Sequence, residues 1–391
     1  MCFVNDFRNQ GAQLSRINPK PRVFCVVAAR PNFVKIAPII AEIEKQGALN
    51  AVLVHTGQHY DLNMSDVFFR DLEIREPDVH LGIGSGSHAE QTGKLMIAFE
   101  KLCENDRPDI VLVVGDVNAT VACSLVAAKM SIPVAHVEAG LRSGDRCMPE
   151  EINRIVTDHL SDLLFTTSRD AGENLEAEGI NSDKIHFTGN VMVDSLLKNL
   201  EQTTQEETVL NVLGPDFQKK EFALLTIHRP SNVDVKETLL GWIEALEKVA
   251  RRIELVCPLH PRTDERLVKF GLKKRFEASI NTRSPLGYLQ FVALMRKTRL
   301  VITDSGGLQE EATMLGVPCL TIRENTERPV TIKHGTNRVI GIDPTYLITA
   351  CEQELEREFM DKWSVPELWD GHAAERIYGF LMEYVETKIQ R

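Results

Sequence analysis

Residues 110–138, IVLVVGDVNATVACSLVAAKMSIPVAHVE, carry the reading that decides the fold. The β-branched run IVLVVG (110–115) predicts a buried strand, Ala119 to about Met130 a helix, and PVAHVE (133–138) the next strand. Short β-branched runs separated by helical patterns of about 10–15 residues indicate βαβ units and a parallel sheet. The same alternation extends in both directions. Upstream stand RVFCVVA (22–28), a helical pattern from Phe33 to about Glu44, and AVLVHT (51–56). Downstream, DLLFTT (162–167) and KIHFTG (184–189) extend the sheet.

The stretch 200–220 is polar, with a Gly-Pro turn at 214–215, and reads as a boundary region. The pattern then restarts with FALLTIH (222–228), a helix near 236–251, RIELVCPLH (252–260), RLVITD (299–304), VPCLTI (317–322) and RVIGI (338–342). Ile377, Phe380, Leu381 and Tyr384 recur at helical spacing in a last segment after Gly371. The expected organisation is a leader (1–20), a first α/β domain (21–200), a second (201–370) and a C-terminal helix (371–391). Two open α/β domains leave a cleft between the carboxyl ends of their strands, the usual ligand site of such sheets.

A chain of 391 residues, 43% hydrophobic and 26% charged, is long enough for two or three domains with their own cores. The formal net charge of −11 argues against a nucleic-acid binder, which ordinarily carries a basic surplus. Eight cysteines include no CxxC pair, and several lie in apolar strand-like runs where a thiol acts as a small core hydrophobe. The first twenty residues lack the apolar core of a signal peptide, and no apolar run approaches the ~18–20 residues of a membrane span. The expectation is a cytoplasmic protein with no membrane partner.

Chemistry concentrates where strands hand over to helices. In LVITDSGGLQEEATMLG, Ser305, Gly306 and Gly307 open a helix whose free N–H groups favour an anion, and Glu311 stands one turn on. No GKS or GKT follows, so this is not a Walker loop. Asp116 in GDVNAT and Glu138 in HVEAGLR end two strands, while Glu150 follows Pro149 in the first turn of a helix. Three carboxylates from three such junctions can converge on one cleft, and crowding there would raise their pKa values. The plain alternatives are that Asp116 caps a helix and Glu150 complements its dipole. Arg30, Lys35, His228, Arg229, His260, Arg262, Arg323 and Arg328 are the candidate cations, with Arg262 and Arg323 read as surface salt-bridge residues. His136 shares a strand face with Glu138 and suits a packed or tautomer-setting role. His55 and His59 are at metal-ligand spacing, but a glycine lies between them and no third ligand follows. LGIGSGSH (81–88) lacks the GxGxxG spacing and any obvious preceding strand.

Taken together, AARPNFVKIAP, HTGQHYD, GDVNAT, HVEAGLRSGDR-x-MPEEINR, GNVMVDSL, IHRPSNVD, PLHPR, TDSGGLQEEA and RENTERPVTIKHGTNR occur in the order seen in the UDP-N-acetylglucosamine 2-epimerase family, non-hydrolysing type. The resemblance spans about 22–385. It implies a GT-B type fold of two Rossmann-like domains, an interdomain active site and a homodimer. It also implies interconversion of UDP-GlcNAc and UDP-ManNAc by loss of UDP, a bound 2-acetamidoglucal, and return of UDP from the same site. That route requires no cofactor and no metal. By the same resemblance Asp116, Glu138 and Glu150 are the acid/base carboxylates and His228 assists UDP departure. Ser305, Gly306 and Gly307 hold the diphosphate and Glu311 the ribose, with Arg30, Lys35, Arg328 and Phe291 as further substrate contacts.

The family's Gly-Thr-Arg-Pro-Glu opening reads Ala28-Ala29-Arg30-Pro31-Asn32 here, its Gly-Asp-Thr reads Gly115-Asp116-Val117, and Pro230-Ser231-Asn232 replaces Arg-Glu after the histidine. Gln58-His59-Tyr60 stands where many bacterial members carry the Gln-His-Arg of an activating site. The alternatives are carbon-2 epimerisation of UDP-GalNAc or of a diacetamido-uronic acid, a hydrolysing epimerase, and a UDP-sugar sensor without catalysis.

Overall fold

The computed structural model describes residues 20–57, 74–202, 205–218, 220–357 and 363–389. The first parallel sheet holds β1 (Arg22–Val27), β2 (Asn50–His55), β3 (Val79–His80), β4 (Ile110–Val114), β5 (Val134–Ala139), β6 (Leu163–Thr166) and β7 (Ile185–Phe187). The second holds β8 (Phe222–Thr226), β9 (Glu254–Pro258), β10 (Asn281–Arg283), β11 (Leu300–Thr303), β12 (Cys319–Thr321) and β13 (Asn337–Val339). Their orders are β3-β2-β1-β4-β5-β6-β7 and β10-β9-β8-β11-β12-β13. Both are Rossmann orders, so each sheet reverses direction of growth once, between β1 and β4 and between β8 and β11, and there opens a crevice at its carboxyl edge. The α/β, two-sheet reading of the sequence is the architecture found.

Burial explains the near-continuous apolar strands. Val111, Leu112 and Val113 of β4 are fully buried, as are Leu300, Val301 and Ile302 of β11, because helices cover both faces of each sheet. The helix Ala373–Ile389 sets Ile377, Leu381 and Val385 into the core of the first sheet beside helix Arg30–Gln46. Asp194 caps its start, accepting from the N–H of Ala373 (3.2 Å) and Ala374 (2.7 Å). Trp369 donates from Nε1 to the Thr167 carbonyl (2.9 Å), which ties the segment before this helix to the end of β6.

Local structure adds to the expectations in three places. Within the polar stretch 200–220, helix Gln205–Leu213 buries Val209 and Leu213, and Phe217 follows them into the core of the second sheet, so sparse apolar residues at helical spacing give the described part of this region a packed face. LGIGSGSH does follow a strand, the two-residue β3, and runs into helix His88–Asn105. That helix announces itself in Ser87-His88-Ala89-Glu90, a capping box in which Glu90 accepts from the Ser87 N–H (3.0 Å). Helix Arg30–Gln46 starts three residues before the expected Phe33, because Pro31 suits a first turn and the Asn32 carboxamide oxygen accepts from the N–H of Ala29 (3.0 Å). Among the described residues no helix is long and apolar enough to cross a membrane.

Ile377→Ala should cost about 2–5 kcal/mol, the range for truncating a fully buried aliphatic side chain. Urea unfolding measures it; an unchanged midpoint would contradict the place of this helix in the first core.

Candidate active site

The two crevices face one another, and the side chains delivered to them come from strand ends. Lys35 follows β1, Asp116 follows β4 and Glu138 lies at the end of β5, while His228 follows β8 and Asp304–Gly307 follow β11.

Glu138 depends on a distortion. The pairing of β5 with β6 shifts register between Val137 and Ala139, leaving Glu138 unpaired at φ 69°. This is a β-bulge, whose effect is to re-aim a side chain. A left-handed backbone on a residue other than glycine costs about 1–3 kcal/mol, so something must hold it. One holder is Lys35, whose Nζ lies 2.5 Å from Glu138 Oε2. Arg328 approaches the same oxygen at 3.8 Å from the second domain. Glu138 Oε1 is buried with no protein partner. Gly115 stands under this pair at φ 68°, where a Cβ would come within 3.1 Å of Lys35 Nζ.

Asp116 is 28% exposed and forms an ion pair with the buried Arg154, which also holds Glu151 at 2.6 Å. Glu151 in turn accepts from the N–H groups of Ser143 (3.0 Å) and Gly144 (2.9 Å), fixing the loop before its helix. Asp116 is not the helix cap, since Val117 occupies that position and no side chain caps it. Glu150 is exposed in the first turn of helix Pro149–Leu160, and its charge is felt by Arg229 across the seam. The expectation of mutual crowding is therefore corrected: Glu138 and Asp116 are each met by a cation instead of by one another.

On the second domain Asp304 organises the end of β8. Its Oδ2 accepts from the N–H of His228 (2.8 Å), the N–H of Arg229 (2.8 Å) and Asn232 Nδ2 (3.0 Å), and Oδ1 lies 2.9 Å from His228 Nδ1. Burial alone would raise its pKa, but these partners, His228 foremost, hold it at about 2. His228, one-third exposed, stacks on His260 with ring centroids 4.8 Å apart. Ser305 precedes helix Gly306–Leu315 without capping it by its side chain, leaving first-turn N–H groups for a ligand. Gly306 is required for space: a Cβ would sit 2.6 Å from Arg328 NH1 and 2.8 Å from Glu327 Oε1.

Arg328 is buried among carboxylates: Glu327 at 2.6 Å, Glu310 at 2.9 Å and Glu138 beyond. Arg323 is buried too, 2.7 Å from Glu327, which overturns its reading as a surface residue; Arg262 does pair at the surface, with Asp234 at 2.5 Å. Arg328 and Arg323 hold Glu327 far below the carboxylate range against the opposing effect of burial. Burial pushes Glu310 up to about 7, despite Arg328 and with help from Glu138, and pushes Glu311 up to about 8, despite its hydrogen bond with Tyr288. Phe291 lies half-buried on helix Tyr288–Lys297, against the core that includes Leu308. The Arg30 side chain and Gln58-His59-Tyr60 lie outside the described residues.

Sequence reading assigned no role to Arg154, Glu151, Glu310, Glu327 or Asp304, although all five lie inside the recognised motifs. Adjacency (Glu310 next to Glu311, Glu327 next to Arg328) does not reveal which side chain turns inward.

Paired Rossmann-ordered sheets whose carboxyl edges bring carboxylates, cations and a helix N-terminus together define a GT-B-like two-domain fold. A family model described as UDP-N-acetylglucosamine 2-epimerase matches residues 41–382. The UDP-N-acetylglucosamine 2-epimerase of Methanococcus maripaludis is 40% identical over 360 residues, 91% of this chain and 97% of that one. The crystal structure of Methanocaldococcus jannaschii UDP-GlcNAc 2-epimerase in complex with UDP-GlcNAc and UDP matches with TM-score 0.86 at 41% identity, covering 93% of this chain and 99% of that one. The UDP-2,3-diacetamido-2,3-dideoxy-D-glucuronate 2-epimerase of Pseudomonas aeruginosa is 37% identical, covering 92% and 99%. The chain belongs to the UDP-N-acetylglucosamine 2-epimerase family.

Glu311 gives a pH test. Its folded pKa of about 8 lies above the ordinary 4.5, so the folded protein keeps a proton that the unfolded chain releases. Its contribution is full below pH 4.5, declines up to pH 8 and is absent above, with a slope of order 1 kcal/mol per pH unit. Glu311→Gln, a mimic of the neutral acid, should flatten the decline between pH 5 and 8 seen in urea titrations. An identical pH profile would show that Glu311 is ionised in the fold.

Proposed function

We propose that the protein interconverts UDP-N-acetylglucosamine and UDP-N-acetylmannosamine without net hydrolysis. One observation carries this beyond family membership: the bulged Glu138 is met at Oε2 by Lys35 and Arg328 and keeps its other carboxylate oxygen, Oε1, buried and unpartnered, at the seam where the SGG helix begins.

The carbon-2 proton of the intact sugar nucleotide has no adjacent carbonyl and is not acidic. Elimination solves this. A carboxylate takes the carbon-2 proton, the electron pair of that C–H bond forms the carbon 1–carbon 2 double bond, and the bond from carbon 1 to UDP breaks. The resulting 2-acetamidoglucal is protonated at carbon 2 from the opposite face, and a diphosphate oxygen re-forms the bond to carbon 1. Asp116, Glu138 and Glu150 are the carboxylates proposed for the proton transfers. His228, oriented by ionised Asp304, is proposed to stabilise the departing diphosphate. Ser305, Gly306 and Gly307 at the helix start and Arg328 beside them suit the diphosphate, while Glu311, Phe291, Lys35 and Arg30 complete the proposed substrate contacts. UDP has to stay in place while the glucal is protonated, and a helix N-terminus aimed across the seam favours that.

A homodimer in the cytoplasm belongs to the same proposal. It is supported by exposed Ile97, Ile152 and Val156 on helices His88–Asn105 and Pro149–Leu160, which both pack on helix Asn118–Lys129. Sedimentation equilibrium should give a dimer mass, and a monomer at micromolar concentration would refute that part.

Proton NMR in D₂O tests the reaction. UDP-GlcNAc should lose its carbon-2 proton signal as UDP-ManNAc appears. Exchange only with UDP-GalNAc or a diacetamido-uronic acid nucleotide would reassign the substrate, and free sugar with UDP would mean a hydrolysing enzyme. Glu138→Gln should lower turnover by about 10²–10⁴ while UDP-GlcNAc still binds. Unchanged turnover would remove Glu138 from the acid–base set.

A further inference from the structure

The bulge at Glu138 has a second holder. His136 lies two residues before Glu138 and Gly140 two residues after it. Both are held by one carboxylate, Asp158, from helix Pro149–Leu160. Asp158 Oδ1 lies 2.6 Å from His136 Nδ1, and Oδ2 accepts from the Gly140 N–H at 3.1 Å. A single side chain thus spans the distorted residue, gripping the strand on either side. The other ring nitrogen reaches further: His136 Nε2 donates to the Gly115 carbonyl at 2.8 Å, one residue before Asp116. His136 is fully buried and Asp158 is 1% exposed. Arg142, 2.7 Å from Asp158 Oδ2, supplies a second counter-charge.

We propose that His136 and Asp158 are positioning residues that lock the bulge presenting Glu138 and join it to the loop presenting Asp116. This inference rests on Glu138 and Asp116 serving the proposed reaction. A backbone carbonyl can only accept, so Nε2 carries a proton, and the ring is fixed by contacts at both nitrogens. Asp158 is held below its ordinary carboxylate range, because His136 and Arg142 outweigh the effect of burial. The buried lock supplies what a strained strand end lacks, a rigid connection on both flanks. The chemistry requires it, since displacing a reacting group by about 1 Å can cost 10²-fold in rate.

The test uses the full-length protein labelled with ¹⁵N-histidine. The His136 signals, assigned by their loss in His136→Gln, should show Nε2 protonated with its hydrogen protected from exchange; a bare or rapidly exchanging Nε2 would overturn the lock. In parallel, Asp158→Asn keeps the shape but turns an amide against the Gly140 N–H or the His136 ring and removes the charge that meets Arg142. It should lower kcat by about 10² while KM and the affinity for UDP change less than threefold. Asp158→Glu should recover part of the loss. A merely structural role would lower the folded fraction, read as UDP-binding stoichiometry, and leave kcat per binding site unchanged. That result, or near-wild-type kcat, would overturn the proposal. If Asp158→Asn does not fold, the wild-type nitrogen signals still decide. Wild-type protein inert towards every UDP-hexosamine tested would count against the proposed function, and the nitrogen signals would judge the lock independently.

Discussion

Everything at the seam depends on one residue of strand β5 taking a backbone conformation it does not favour. If Glu138 paired regularly with β6, its side chain would alternate onto a sheet face with its neighbours. The register shift at Val137–Ala139 instead turns it to the carboxyl edge, where Lys35 meets it. Left-handed backbone at such a position is unstable alone. The surrounding groups over-determine it: Lys35 draws the carboxylate forward, and Asp158 fastens His136 and Gly140 on either side. Gly140 itself has no freedom, since at φ 78° a Cβ would lie 2.1 Å from the Ala171 carbonyl oxygen.

The second constraint is charge. Arg328, Arg323, Glu327 and Glu310 are all buried, and isolating any one of them would be costly. They coexist because each has an opposite charge within reach, and because burial keeps Glu310 near the edge of neutrality at about 7. Such pairs contribute little net stability, since desolvation offsets attraction. Their effect here is on geometry. Arg328 touches Glu138 of one domain and packs on Gly306 of the other, so the orientation of the cation registers both halves of the site at once.

Much of this was legible in the sequence. Alternating apolar runs gave both sheets, and the strand-to-helix junctions located Asp116, Glu138, His228 and the Ser305–Gly307 turn. Local pattern could not show the rest. Nothing in HVEAG marks a bulge, because the register shift is set by how β6 pairs with β5. The apolar spacing of Val209, Leu213 and Phe217 was hidden in a polar stretch. Arg323 looked like a surface residue because its charge is compensated by a glutamate that turns inward only in the fold. His136 was the instructive intermediate case: its strand face suggested a tautomer-setting role, but its partners, Asp158 and the Gly115 carbonyl, lie 22 and 21 residues away in sequence.

The two-domain arrangement suits a reaction that takes its substrate apart and reassembles it. One half would have to act on a carbon-bound proton, which calls for carboxylates in defined positions; the other would have to retain a diphosphate, which calls for N–H groups and cations. A single sheet offers one switch-point crevice. Two facing sheets offer two, each with its own kind of chemistry: the first edge carries Lys35, Asp116 and Glu138, the second His228 and the start of helix Gly306–Leu315. Arg328 is the element that keeps these from being independent. Because it reaches Glu138 from the side of helix Gly306–Leu315, a displacement of the SGG turn would be transmitted to the carboxylate through a single guanidinium. The geometry proposed for releasing the anion and that proposed for moving the proton would therefore be set together.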